Sequence, residues 1–199
     1  QGDAELQFNA QQLSASTALV NKLSENNQTV KVVDRASNMA RVASRIQTSF
    51  DVSVQDSAAQ VQTNLMGLQS LVAAGKLDQI NFTDANTPTV TFKAAQFANM
   101  GALRAMLGNA TLAVSDTAAN VARFAVNDAA SVTVRDTSAN LLKNFDAMRT
   151  LAANAADVTF ALTNRAPMME LTAAQFVGSE ALREKLPSVT FTINDTALN

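Results

Sequence analysis

The side chains in this sequence that could do chemistry are carboxylates and amides held at a fixed spacing. Asp34, Asp56, Asp116, Asp136 and Asp195 each close a short alternating run, and each is followed four positions later by an amide: Asn38, Gln60, Asn120, Asn140 and Asn199. A row of aspartates offers oxygen ligands of the kind calcium takes. One carboxylate per repeat is not a closed coordination shell, so the row reads instead as structural helix N-caps, each accepting the unpaired N–H groups of a first helical turn. Asn38, Gln60, Asn120 and Asn140 read as a structural amide ladder that bonds the backbone of the neighbouring repeat.

The remaining candidates do not assemble into a reaction centre. The chain has no His and no Cys, which removes the commonest general base, the commonest transition-metal ligand and all thiol chemistry. Glu180, Glu184 and Asp157 form no defined pair, and no Gly-rich phosphate loop, nucleophile elbow or zinc signature is present. The expectation is a non-enzymatic segment with no cofactor or metal site of its own. Phe82, Phe92, Phe160 and Phe191 stand at strand-like positions and read as core rather than as a platform for sugar rings. The Asn-x-Ser/Thr matches at Asn27, Asn81, Asn109 and Asn194 are what chance yields in a chain so rich in Asn and Thr.

These residues recur in a frame. One motif is Val52-Ser-Val-Gln-Asp56-Ser-Ala-Ala-Gln60, repeated as Leu112-Ala-Val-Ser-Asp116-Thr-Ala-Ala-Asn120 and Val132-Thr-Val-Arg-Asp136-Thr-Ser-Ala-Asn140, with Val32-Val-Asp34-Arg-Ala-Ser-Asn38 as a looser copy. A second motif, Val90-Thr-Phe-Lys-Ala-Ala-Gln96-Phe97, returns as Met169-Glu-Leu-Thr-Ala-Ala-Gln175-Phe176 and, degenerate, as Leu6-Gln-Phe-Asn-Ala-Gln-Gln12-Leu13. Gln96 to Gln175 and Asp116 to Asp195 are both 79 positions and Asp56 to Asp136 is 80, so three landmarks keep one long register. Within it, Gln96 to Asp116, Asp116 to Asp136 and Gln175 to Asp195 are 20 each, whereas Asp136 to Gln175 is 39 and holds an extended helix from Thr137 to about Asn154, a strand run Val158–Leu162 and a turn with Pro167.

The Val-Thr-Val runs are period-two strand signals rich in β-branched residues. Val61, Leu65, Leu68 and Val72, then Leu103, Met106 and Leu107, then Leu141, Phe145, Met148 and Leu151, fall at helical spacing. A strand–helix unit of about 20 residues cannot bury its face alone. The predicted fold is therefore α/β: a repeat solenoid of stacked strand–helix coils, about 20 residues per coil and about 80 per superrepeat, with a parallel sheet on one side and helices on the other. The chain reads as one continuous segment of a larger protein, with superrepeats 6–89, 90–168 and an incomplete 169–199.

Composition narrows the function. A 47% hydrophobic content and a mean hydropathy of +0.03 suit a folded chain. With only 5% aromatics and no Trp or Tyr, the core must come from many small repeated contacts. The net charge of −2 lacks any basic run, which argues against nucleic-acid partners. The absence of an 18-residue apolar stretch argues against membrane insertion. Gln1-Gly-Asp-Ala-Glu5 has neither the charged nor the apolar part of a signal peptide, so an export signal is expected elsewhere.

With the Asp-Ser/Thr-Ala-Ala-Asn and Val-Thr-Phe-Lys/Thr-Ala-Ala-Gln-Phe elements laid out, nearly the whole chain resembles the Ser-Asp-Thr-Ala-Ala-Asn-type repeats of large bacterial proteins exported by type I secretion, often beside hemolysin-type calcium repeats. The resemblance implies an extracellular or cell-surface location and a structural or adhesive module, with other copies of itself or a cell-surface, protein or glycan partner, and self-assembly into a layer, filament or matrix. The alternative is a glycan- or protein-binding domain within a larger secreted enzyme or toxin. The Gly-Gly-x-Gly-x-Asp nonapeptides that bind calcium in such proteins are absent from this sequence, so calcium is expected only elsewhere in the parent protein.

Overall fold

The computed structural model describes residues 6–16, 18–19, 22–23, 29–155 and 157–195; Asn27 and the helix opening expected at 196–199 lie outside them. Strands alternate with helices in the order β1 (Leu6–Phe8), α1 (Ala10–Ala15), β2 (Val30–Asp34), α2 (Ala36–Val42), β3 (Asp51–Asp56), α3 (Ala58–Thr63), α4 (Leu65–Ala73) and β4 (Gln79–Phe82). The pattern resumes with β5 (Thr89–Phe92), α5 (Ala94–Asn99), α6 (Gly101–Met106), β6 (Thr111–Asp116), α7 (Ala118–Arg123), β7 (Ser131–Asp136), α8 (Ser138–Lys143), α9 (Phe145–Asn154) and β8 (Val158–Leu162). It closes with β9 (Met168–Leu171), α10 (Ala173–Val177), α11 (Glu180–Glu184) and β10 (Thr190–Ile193).

The strand pairs that can be followed residue by residue are parallel, as short helical crossovers require. One continuous sheet was expected, but among the described residues the hydrogen bonding makes three, in the orders β1-β2-β3-β4, β5-β6-β7-β8 and β9-β10. The divisions coincide with the 79-residue register. β4 and β8 are followed not by a helix but by the connections 83–88 and 163–167, each ending in proline. Pro88 and Pro167 have no N–H to donate, and each gives its carbonyl to the second strand of the sheet it precedes, β6 or β10, accepting from Thr111 N–H and Thr190 N–H at 2.8 and 3.0 Å.

The expected single helix from Thr137 to Asn154 is two helices that meet at Asn144, whose φ of −112° and ψ of 26° leave the helical path. Asn64 does the same between α3 and α4. Each Asn side chain donates back to the carbonyl four residues earlier, Asn64 Nδ2 to Gln60 O and Asn144 Nδ2 to Asn140 O, a local bond that competes with helix continuation.

Chain contacts separate two compact units, residues 1–90 with 100–111 and residues 91–99 with 112–199. The first buries Val32, Met39, Val52, Val54, Val61, Leu65, Leu68 and Leu71. Leu71 thus takes the core position expected for Val72. In the second, Phe92, Phe97, Val134, Leu141, Phe145 and Met148 are buried, and Ala152 rather than Leu151 closes the inner face of α9. Of the strand phenylalanines, Phe92 and Phe160 are core, whereas Phe82 and Phe191 are only half-buried.

Candidate functional site

The aspartate row is the most regular chemical feature of the molecule, and its bonds differ from the expected N-caps by one residue. The caps are the residues after the aspartates: Ser57, Thr117 and Thr137 accept from the N–H groups of Gln60, Asn120 and Asn140. Arg35 stands at the cap of α2 without a side-chain bond. Asp34, Asp56, Asp116 and Asp136 each lie one position before the cap, because each is the last residue of its strand and its side chain reaches across to the preceding unit.

There one carboxylate oxygen serves its own unit and the other serves the unit before it. Asp136 Oδ1 accepts the Thr137 N–H and Asn140 Nδ2, at 2.8 and 2.7 Å, while Oδ2 accepts the Ala118 N–H at 3.1 Å. Asp116 repeats this with Thr117, Asn120 and, from the previous helix, Ala94. Asp34 bonds Arg35, Asn38 and Ala10. Asp56 takes the N–H groups of Ser57 and Ala36, and Asp195 Oδ2 takes that of Ala173 at 2.7 Å. The carboxylate is therefore a clip that fastens the first free N–H of one helix to the start of the next.

Two further clips lie outside the repeated motif, Asp84 on the Ala58 N–H at 2.8 Å and Asn164 on the Ser138 N–H at 3.1 Å. Both follow the helix-less strands β4 and β8, so the Ser/Thr-Ala-Ala-Asn signature is missing. Their common spacing of 26 residues from the N–H they serve was the available signal. Asn can replace Asp at 164 because no helix of its own needs the second oxygen; the amide instead donates Nδ2 to Ser138 Oγ, where the other clipped positions hold alanine.

The amides do not bond a neighbouring unit. Asn38, Asn120 and Asn140 donate to the aspartate of their own unit, so the expected inter-coil ladder is carried by the carboxylates. Gln60 holds the same place with its backbone, its N–H on Ser57 Oγ and its carbonyl accepting from Asn64. The second motif follows from the same logic. Units opening a sheet have Phe8, Phe92 or Leu171 where the others have Asp, so the cap N–H must find another acceptor. Gln12, Gln96 and Gln175 supply it, accepting from Asn9, Lys93 and Thr172 at 2.9, 2.9 and 3.0 Å. Asparagine is one methylene too short for that reach.

Electrostatics agree with a structural use of the carboxylates. Burial works to raise the Asp34 carboxyl, but the Asn38 amide, the Arg35 and Ala10 N–H groups and the Arg35 charge outweigh it and hold the group below its ordinary value. Asp116 is held down in the same way, burial being overcome by Asn120, the Thr117 and Ala94 N–H groups and Lys93. Among the described residues no three acidic side chains converge as a metal site, and no helix is long and apolar enough to cross a membrane.

A cleft of about 650 Å³ opens in the second unit beside α9, lined by Val121, Phe124, Val126, Met148, Leu151 and Asn127, among others. It exists because α7 ends at Phe124, whose extended backbone (φ −110°, ψ 142°) stops the chain from adding the second helix seen after α3 and α8. Searches of known proteins yield no family model and no curated protein that matches this chain.

Proposed function

We propose that this chain is a non-enzymatic structural or adhesive module of a secreted, surface-exposed bacterial protein, built as a solenoid of stacked strand–helix coils. The observation that carries the reading is the clip itself, made at seven positions with the same donor each time, the first N–H of the preceding unit's helix. The chain's most regular ionisable groups are thereby engaged in joining neighbours, which suits an extended spacer or assembly subunit whose surface does the work. The sequence resemblance favours the extracellular location and assembly with other copies or with a cell-surface partner. The test is to image the purified parent protein by negative stain, with calcium and with chelator, and to digest intact cells with protease. Ordered polymers, or loss of the protein from the cell surface on digestion, support the reading; a protein protected inside intact cells overturns it.

One observation favours the second reading, a glycan- or protein-binding domain in a larger secreted protein: the cleft beside α9 joins an aromatic face, Phe124, to the amide of Asn127. Binding to a glycan array that is lost in Phe124→Ala would transfer the proposal to that reading.

A further inference from the structure

The groove between α1 and α2 in the first unit is a cleft of about 460 Å³ whose polar lining consists of Gln11, Ser14, Asn38, Arg41 and Arg45. Arg45 donates Nη1 to the Ser14 carbonyl at 2.7 Å, and Arg41 donates Nη2 to Asn38 Oδ1. Each bond takes one of the five N–H donors of a guanidinium and anchors that group at the cleft wall. No acidic residue occurs in 6–16 or 35–50. Asp34 does not line the cleft; its oxygens accept from the Ala10 and Arg35 N–H groups and from Asn38, and the Arg35 charge lies beside it.

Cations near the end of a helix need no ligand on their own account. What distinguishes this groove is that the equivalent positions elsewhere in the chain are plain. With Gln12, Gln96 and Gln175 aligned, Gln11 corresponds to Ala95 and Ala174, and Ser14 to Ala98 and Val177. Arg41 corresponds to Arg123, whose guanidinium lies 5.4 Å from the Phe124 ring centroid; the residue after Arg41 is Val42, which offers no ring. Arg45 belongs to the β2–β3 connection 35–50, two residues longer than its counterpart 117–130. Gln11, Ser14 and Arg45 therefore converge on one groove, and two like charges stand there four positions apart with no acid between them, an arrangement that costs stability unless an anion supplies the counter-charge.

We propose that this cleft binds a carboxylate-bearing sugar, a uronate residue of an acidic polysaccharide. The two guanidiniums take the carboxylate, to which their fork geometry is matched. The Gln11 amide and the Ser14 hydroxyl belong to groups that both donate and accept, as ring hydroxyls require. Ala10 and Val42, both buried, give a small apolar floor. Among the described residues no aromatic ring lines the cleft, so nothing there stacks a nucleic-acid base. All its residues lie in the first unit, apart from the cleft beside α9.

Calorimetric titration of the 199-residue chain with trigalacturonate tests this, with the methyl ester of the trimer and sodium sulfate as controls. The trimer is expected to bind and its uncharged ester to bind little. Arg41→Gln removes one charge at an exposed position and should weaken binding by about tenfold or more. Gln11→Ala, also at an exposed position, should weaken it by about threefold or more; alanine already stands at that place in α5 and α10, so its loss of binding is not a loss of fold. No binding at millimolar trimer, equal binding of the ester, sulfate binding as tight as that of the trimer, or full binding by both variants overturns the proposal. Failure here leaves the surface-protein reading standing, and failure of that reading in intact cells leaves the titration unaffected.

Discussion

A carboxylate that accepts three donors from two units has no equal-sized substitute. Asp136→Ala strands the Ala118 N–H, the Thr137 N–H and the Asn140 amide at a site where Asp136 is 8% exposed. The expected loss is about 3 kcal/mol, because bonds to a charged acceptor are each worth more than neutral ones and buried donors are left unpaired. Urea denaturation measures it, and Asp157→Ala at an exposed position should change the unfolding free energy by no more than about 0.5 kcal/mol. Equal effects in the two variants would remove the clip from the account.

Acid should undo the corresponding bonds of Asp34 and Asp116. Asp34 and Asp116 titrate below their ordinary value of 3.8 in the folded chain, so the folded state binds fewer protons than the unfolded one as pH falls. Their contribution is complete above the unfolded value and is lost as pH drops through the folded one. The urea midpoint is expected to be flat from pH 7 to about 5 and to fall below about 4. Asp116→Asn should start lower at neutral pH and decline less steeply; a parallel decline would show that other groups govern acid unfolding.

At the level of elements, helix packing in the first unit depends on a missing side chain. A Cβ on Gly67 would stand 2.6 Å from Ala40 Cβ, so α4 and α2 approach closely at that point. Gly→Ala inside an exposed helix ordinarily gains about 1 kcal/mol. Here Gly67→Ala is expected to cost about 1–3 kcal/mol by overpacking, and Ala40→Gly in the same chain should recover much of it. A stabilised single variant would show that the two helices separate freely.

The elements were largely legible in the sequence because each carries its own local signal. The alternating runs at Val52, Leu112 and Val132 became β3, β6 and β7, and the spacing of Leu141, Phe145 and Met148 gave the inner face of α8 and α9. What the aspartates bind was not legible, since the Ala118 N–H lies 18 positions from Asp136 and only strand pairing brings them together. The cap reading failed for a related reason: Asp-Thr and Thr-Ala are both acceptable cap sequences, and only the direction of the last strand side chain chooses between them. The helix breaks at Asn64 and Asn144 were hidden because apolar spacing continues unbroken through them.

Across the whole molecule, every clip joins consecutive units, so energetic coupling is between nearest neighbours. Asp56→Ala is expected to speed hydrogen exchange in residues 30–73, around the clip it breaks, and to leave residues 131–162 unchanged. Uniform acceleration along the chain would contradict a nearest-neighbour description. The long register was visible in the sequence, but its meaning was not: the 79-residue period marks complete four-stranded sheets rather than turns of one uninterrupted sheet.

The placement of Pro88 and Pro167 bears on how such a gene can grow. Residues 89–167 contain both partners of the clips Asp116–Ala94, Asp136–Ala118 and Asn164–Ser138, and residues 6–88 contain both partners of Asp34–Ala10, Asp56–Ala36 and Asp84–Ala58. Recombination at the proline codons therefore copies or deletes a block without orphaning a buried N–H in either product. A crossover between a strand and its own helix separates a carboxylate from its donor. Duplication in blocks of one sheet is thus the mutational path of least damage.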